Sequence, residues 1–240
     1  MSKIANAFKD GKAFIGFLTA GDPTIEKTVE YILAMEEAGC DLIEIGIPFS
    51  DPMAEGVVIQ DANIRALGHN TTTDDVFEIV RKVRQKTDVP LVFLTYINPV
   101  FFYGYEKFFK KCGELGIDGI ISPDLPYEEK GEIKDIALSN DVDVISLIAP
   151  TSKERIQKIA SDATGFIYVV SSLGVCCAFA VAASFVFVTS PVFVAETTLS
   201  SFLAGVTRER FFFSSLRSSL SLSAATFLVA PTIACSSSIL

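Results

Sequence analysis

A glutamate interrupts an otherwise aliphatic run in DLIEIGI, residues 41–47. Period-two alternation places Leu42, Glu44 and Gly46 on one face and Ile43, Ile45 and Ile47 on the other. A parallel strand covered on both faces is normally apolar throughout, so Glu44 is out of place as packing. Burial raises a carboxyl pKa and suits the group to proton transfer near neutrality. The competing explanation is a buried Lys or Arg partner, and no other strand-like run offers one. The segment after it, IPFSDPMAEGVVIQDAN (47–63), reads as a long loop rich in turn residues. It carries Asp51 and Glu55, either of which could curl back over the strand end, although loop acids commonly serve as solvated or capping groups. The single histidine, His69, excludes a multi-His metal site and argues against a His-dependent triad. Five cysteines show no paired ligand spacing, so reduced thiols and no metal are expected.

The surrounding pattern alternates strand and helix. AFIGFL (13–18) is a short apolar run ended by Gly21-Asp22-Pro23, where Asp22 can cap a helix and Pro23 suits its first position. Ile25, Val29, Ile32 and Leu33 then recur at helical spacing until Gly39. PLVFLTY (90–96), DGIIS (118–122), VDVISLI (142–148) and GFIYVV (165–170) continue the strands. Helices are expected around Val76–Val83, around Tyr105–Cys112, and near 127–139 and 152–161. Six strands joined by helices read as successive right-handed βαβ units. An open doubly wound sheet is the alternative, but the turn after the first strand, TAGDP, has no GxGxxG. A (β/α)₈ TIM barrel is the favoured fold class, with Glu44 near the strand end where barrel active sites lie.

Composition divides the chain in two. It has 240 residues, 50% of them hydrophobic, with Lys+Arg 20 against Asp+Glu 29 and a net charge of −9. That balance, without a polybasic run, argues against a dedicated nucleic-acid or anionic-membrane binder. The start, MSKIANAFKDGKAF, is too charged for a secretory signal, so a cytoplasmic protein is expected. Beyond Val175 the only charges are Glu196, Arg208, Glu209, Arg210 and Arg217, and Lys, Asp, Asn, Gln, His and Tyr are absent. All six missing types have codons with adenine in the middle position. A protein-level pressure would not select against so mixed a set, whereas a change of reading frame would. Residues 1–175 are therefore read as barrel units one to six, and 176–240 as an aberrant, Ser-rich hydrophobic tail. Its uncharged stretches, Gly165 to Ala195 and Ser218 to Leu240, are long enough to span a bilayer but contain Pro191 and Pro231. A membrane anchor is therefore not the favoured reading.

FLTAGDP (17–23), DLIEIGIPFSDPMAEG (41–56), VIQDANIRAL (58–67), LTYINPVFFYG (94–104), SPDLP (122–126), LIAPTS (147–152) and GFIYVVSSLGV (165–175) closely resemble the tryptophan synthase alpha chain family. The likeness runs in order through residues 1–175 and stops where the family continues Gly-Val-Thr-Gly. It implies a TIM-barrel lyase that cleaves indole-3-glycerol phosphate to indole and glyceraldehyde 3-phosphate. It also implies a beta-chain partner in an α2β2 heterotetramer, with pyridoxal phosphate in the beta chain and no cofactor in this one. By this resemblance Glu44 is the mobile catalytic glutamate. Glu55 stands for the second acid, which steadies charge developing on the indole ring. Phe17, Leu94 and Tyr96 line the indole pocket, and Tyr168 is the active-site tyrosine of the sixth strand; without the resemblance each would be ordinary core. The loop around Asn98–Tyr103 faces the beta chain.

The same resemblance exposes departures. Glu55 replaces an aspartate, and an extra methylene displaces an oxygen by about 1 Å, which can cost on the order of 10²-fold. Gly16 and Val57 replace prolines, loosening the first strand and the loop. The family grips the substrate phosphate with backbone amides of three glycine-bearing turns. Here Gly174 remains, Cys177 stands where the first phosphate-loop glycine is expected, and the tail offers neither later turn. These losses predict weak or absent cleavage, with either an inert barrel that at most binds the beta chain or a truncated chain that does not fold, and an unpaired strand edge beside Tyr168.

Overall fold

The computed structural model describes residues 3–9, 12–149, 153–170 and 178–182. Along them run α1 (Ile4–Ala7), β1 (Ile15–Thr19), α2 (Ile25–Glu37), β2 (Leu42–Gly46), α3 (Val57–Gly68) and α4 (Thr73–Arg84). There follow β3 (Leu91–Leu94), α5 (Ile97–Tyr103), α6 (Tyr105–Leu115), β4 (Gly119–Ile121) and α7 (Gly131–Ser139). The series ends with β5 (Asp143–Val144), β6 (Ser146–Ile148), α8 (Lys153–Ser161), β7 (Phe166–Val170) and β8 (Ala178–Ala182).

Strands β1 to β5 form one parallel sheet in chain order, and β6, β7 and β8 a second. Ile145 sits between β5 and β6, and its amide donates to the Ile120 carbonyl at 2.9 Å. Residues 143–148 therefore form one extended segment that pairs with β4 first and β7 next, matching the single strand expected there. Parallel order in sequence, with helices between, is the β/α-barrel pattern. The departure comes at β8, which runs antiparallel to β7 with Tyr168 opposite Ala180. The expected open edge beside Tyr168 is thus occupied, because a returning strand needs no crossover helix.

Alternation sorts the side chains into two cores. Ile43, Ile45, Leu91 and Phe93 pack outward with Ile32 of α2, Val76, Phe77 and Val80 of α4, and Phe108 of α6. Helix α4 is held at its start by a capping box between Thr72 and Asp75, a feature worth about 1 kcal/mol. Leu42, Val92, Ile121, Ile145, Phe166 and Tyr168 form the inner cluster with Ile4, Ala7 and Phe8. The Phe8 and Phe166 rings lie 5.9 Å apart. Ile4 reaches the positions where a Cβ on Gly119 or Gly165 would stand, so α1 plugs the N-terminal ends of these strands.

Several local expectations change. The long loop over 47–63 is shorter, because α3 begins at Val57, the helix position that proline also suits. Residues 97–103 are helix α5 rather than loop. Thr24, not Asp22, caps α2, accepting from the Lys27 amide at 3.2 Å. Asp22 is instead gripped by Arg65 of α3, whose Nε and Nη2 donate to its two oxygens at 2.9 and 2.8 Å. Gly16 does not leave slack: a Cβ there would lie 2.2 Å from Met35 Cε, so the Met35 side chain fills the space. Gly174, Cys177 and the tail beyond residue 182 lie outside the described residues. No helix among the described residues is long and apolar enough to cross a membrane.

Candidate active site

Glu44 lies in the middle of β2, directly between Phe17 of β1 and Val92 of β3 in the strand register. Its residue surface is 4% exposed. No Lys, Arg or His lies within ion-pair distance, and no hydrogen bond to its carboxyl is found among the described residues. Burial alone pushes its pKa up to about 8, so the carboxyl is protonated at neutral pH. This is the state expected of a proton donor rather than of half an ion pair.

Gly46, two residues along the same face, explains how the neighbouring ring is seated. A Cβ at Gly46 would stand 2.8 Å from Phe17 Cζ, so the absent side chain leaves room for that ring. Phe17, Glu44, Leu94 and Tyr168 share the inward-facing set of their strands, and Leu94 packs against the inner cluster that contains Tyr168. Four of the residues singled out from sequence thus come from four strands onto one face.

Glu55 and Tyr96 form a separate pair where the loop after β2 meets the end of β3. The Tyr96 hydroxyl donates to Glu55 Oε2 at 2.5 Å and accepts from the Ala54 amide at 2.7 Å. Gln60 of α3 donates to the Glu55 carbonyl at 2.9 Å, tying loop to helix. The Phe49 ring stacks obliquely on Tyr96 with centroids 5.3 Å apart. Glu55 is half-buried; desolvation raises its pKa, and the bond from Tyr96 opposes that shift. Burial and the same bond push the Tyr96 phenol the other way from ionisation, raising its pKa. Asp51 does not join them: it is exposed and accepts from Ser50 Oγ at 2.5 Å.

Sequence reasoning missed the Tyr96–Glu55 bond and the Arg65–Asp22 clamp. The first anchors the acid-bearing loop to β3, and the second holds α3 on the turn after β1. Gly174 falls outside the described residues. Among the described residues no cluster of three His, Cys, Asp or Glu side chains could hold a metal ion.

Known proteins resemble this chain in sequence and fold. The sequence model described as "Tryptophan synthase alpha chain" matches residues 4–187. A tryptophan synthase alpha chain of Lacticaseibacillus casei is 53% identical over 175 residues, 73% of this chain and 66% of that one. One from Lactiplantibacillus plantarum is 52% identical over 176 residues, 73% and 67% of the two chains. The chain thus spans about two thirds of the length of these relatives. Among solved structures, the alpha chain from Legionella pneumophila superposes with a TM-score of 0.67 at 36% identity, covering 74% of this chain and 69% of that one. A structure of the tryptophan synthase α2β2 complex from Pyrococcus furiosus matches with a TM-score of 0.64 at 38% identity, over 67% and 68% of the chains. A match through every strand that carries the inner face leaves one assignment: this chain belongs to the tryptophan synthase alpha chain family.

Proposed function

We propose that this chain is a carbon–carbon lyase that cleaves indole-3-glycerol phosphate to indole and glyceraldehyde 3-phosphate. The observation that carries the reading is Glu44, a protonated, unpaired carboxyl on the inner face among aromatic and aliphatic side chains. In the retro-aldol step its proton passes to indole C3, and the resulting carboxylate takes the proton from the glycerol hydroxyl next to the breaking bond. The C3–carbon bond then breaks, giving indole and the aldehyde, and Glu44 ends protonated as it began. Resting protonation fixes the order, acid first and base second. Glu55 steadies positive charge on the ring, held in place by Tyr96. Phe17, Leu94, Tyr96 and Tyr168 supply the indole-facing walls.

The partner is a beta chain in an α2β2 assembly, with pyridoxal phosphate on the beta side, in the cytoplasm. Support comes from Met53, beside Glu55, and Phe102 of α5, both 92% exposed although large and apolar. Val57, Val58 and Phe101 are exposed with them, a pattern typical of an interface.

A second reading, a catalytically inert barrel that still binds the beta chain, is favoured by β8. That strand returns antiparallel where a β/α barrel continues with a parallel unit. The reading from codon composition, that the chain leaves its ancestral frame near Val175, is part of this proposal, and sequencing the coding DNA tests it. Indole release by the purified chain, with and without a beta chain, separates the two. The lyase reading expects weak release that Glu44→Gln lowers at least ~10²-fold and that declines as pH rises through about 8. No indole under any condition, together with retained beta-chain binding, supports the inert barrel.

A further inference from the structure

Lys130 stands at the N-terminal end of α7 and is 5% exposed. Its Nζ donates to Ser146 Oγ of β6 at 2.8 Å, and Ser146 is equally buried. An ammonium carries three donors, and this is its only hydrogen bond among the described residues, so two are left without an acceptor. No carboxylate of the described residues lies within ion-pair distance. The nearby Asp162 is taken by Lys134 at 2.5 Å, and Asp143 acts on Lys130 only from farther off.

The two side chains line a cavity of about 240 Å³ between the loop after β4, β6 and α8. Ser122, Tyr127, Arg155, Ile156 and Ile159 help to wall it, Arg155 already paired with Glu128, and no Asp or Glu among the described residues does. The volume is several times the roughly 30 Å³ share of one water molecule. A buried cation with spare donors, in a space whose only acceptor side chains among the described residues are hydroxyls, is complementary to a compact anion. Ser146 faces the outer side of the sheet, since it alternates with the inward-facing Ile145. Ile145, Leu147 and Val170 of the inner cluster also border the cavity, but Glu44 does not.

We propose that this cavity binds a small oxoanion, a phosphate or a carboxylate, on the Lys130 ammonium and the Ser146 hydroxyl. The bound anion supplies the acceptors that the protein withholds and offsets the desolvation that lowers the Lys130 pKa.

Acylation of the full chain by acetic anhydride, mapped by peptide mass spectrometry, tests the proposal without any substitution. Inorganic phosphate or acetate, at ten times its dissociation constant, is expected to slow acylation of Lys130 about tenfold relative to chloride at matched ionic strength. Lys134, one turn along α7, serves as control and should be unaffected. Protection by phosphate alone or by acetate alone supports the site and names its source. Equal protection by chloride, protection of both lysines alike, or none would overturn it. The Lys130→Met variant should also lose the phosphate-induced rise in Tm, and an unchanged rise counts against the site. Protection must persist in Glu44→Gln, which makes this test independent of the lyase reading.

Discussion

The N-terminal ends of the strands and their middle treat a buried carboxyl in opposite ways. At the N-terminal end Asp118 is enclosed and fully engaged: it accepts from the Lys3 and Leu91 amides at 3.2 and 3.1 Å and from Arg84 at 3.1 Å. Arg84 spends its remaining donors on the Gly116 and Val89 carbonyls at 2.7 and 2.6 Å. Farther along the strands Glu44 is as deeply buried and has none of this. Asp118 is satisfied and serves stability; Glu44 is left without a partner among the described residues, which in the proposed lyase reading holds a proton in place for chemistry. With the unpaired acid nearer than the paired one to the strand ends that face the βα loops, the contrast accords with the division of labour in β/α barrels.

This contrast breaks in measurable ways. The largest effect is expected from Glu44. Its folded pKa is raised, so the stability it contributes is fully present below the unfolded value near 4.5 and is lost as pH rises through about 8. The loss runs at about 1.4 kcal/mol per pH unit, roughly 5 kcal/mol at most across that window. Denaturant melts of Glu44→Gln against the parent should therefore converge at acid pH and diverge toward pH 8, with the Gln variant the more stable. A variant destabilised across that range would mean Glu44 is a structural group. Asp118→Ala should do the reverse. It strands Arg84 and two backbone amides and is expected to cost about 3–5 kcal/mol, read as a lower Tm. Indole release per folded molecule should change little. The smallest effect belongs to Tyr96→Phe, which removes the bond to the Glu55 carboxylate and leaves the Ala54 amide without its acceptor, at a local cost of about 2–3 kcal/mol. Because it frees the Glu55 loop, proteolysis near Met53 should quicken while the melt of the core barely moves.

Much of this was readable from the chain. The six strands stand out because aliphatic and β-branched runs are short and end at turn residues, and Glu44 stood out because alternation made it an exception. Helix α3 was hidden by its own exposure. Val57 and Val58 face solvent, and its buried positions are Ala62, Asn63 and Ala66, so no large apolar stripe marks it. Helix α5 was hidden likewise, with Phe101 and Phe102 outward and Val100 inward. The contacts that fix the site were beyond any local pattern. Arg65 and Asp22 are 43 residues apart, Tyr96 and Glu55 41, and such pairs are set by which strand ends meet. Asp22 shows the cost of local reasoning: a residue type suited to capping was spent on a distant clamp.

The antiparallel course of β8 has a wider meaning. A backbone ladder asks little of side chains, so the segment Ala-Phe-Ala-Val-Ala can sheath the border of β7 by direction and reach alone. The border of β7 is thereby covered, and the exposed ladder passes outward to β8, the last strand of that sheet among the described residues.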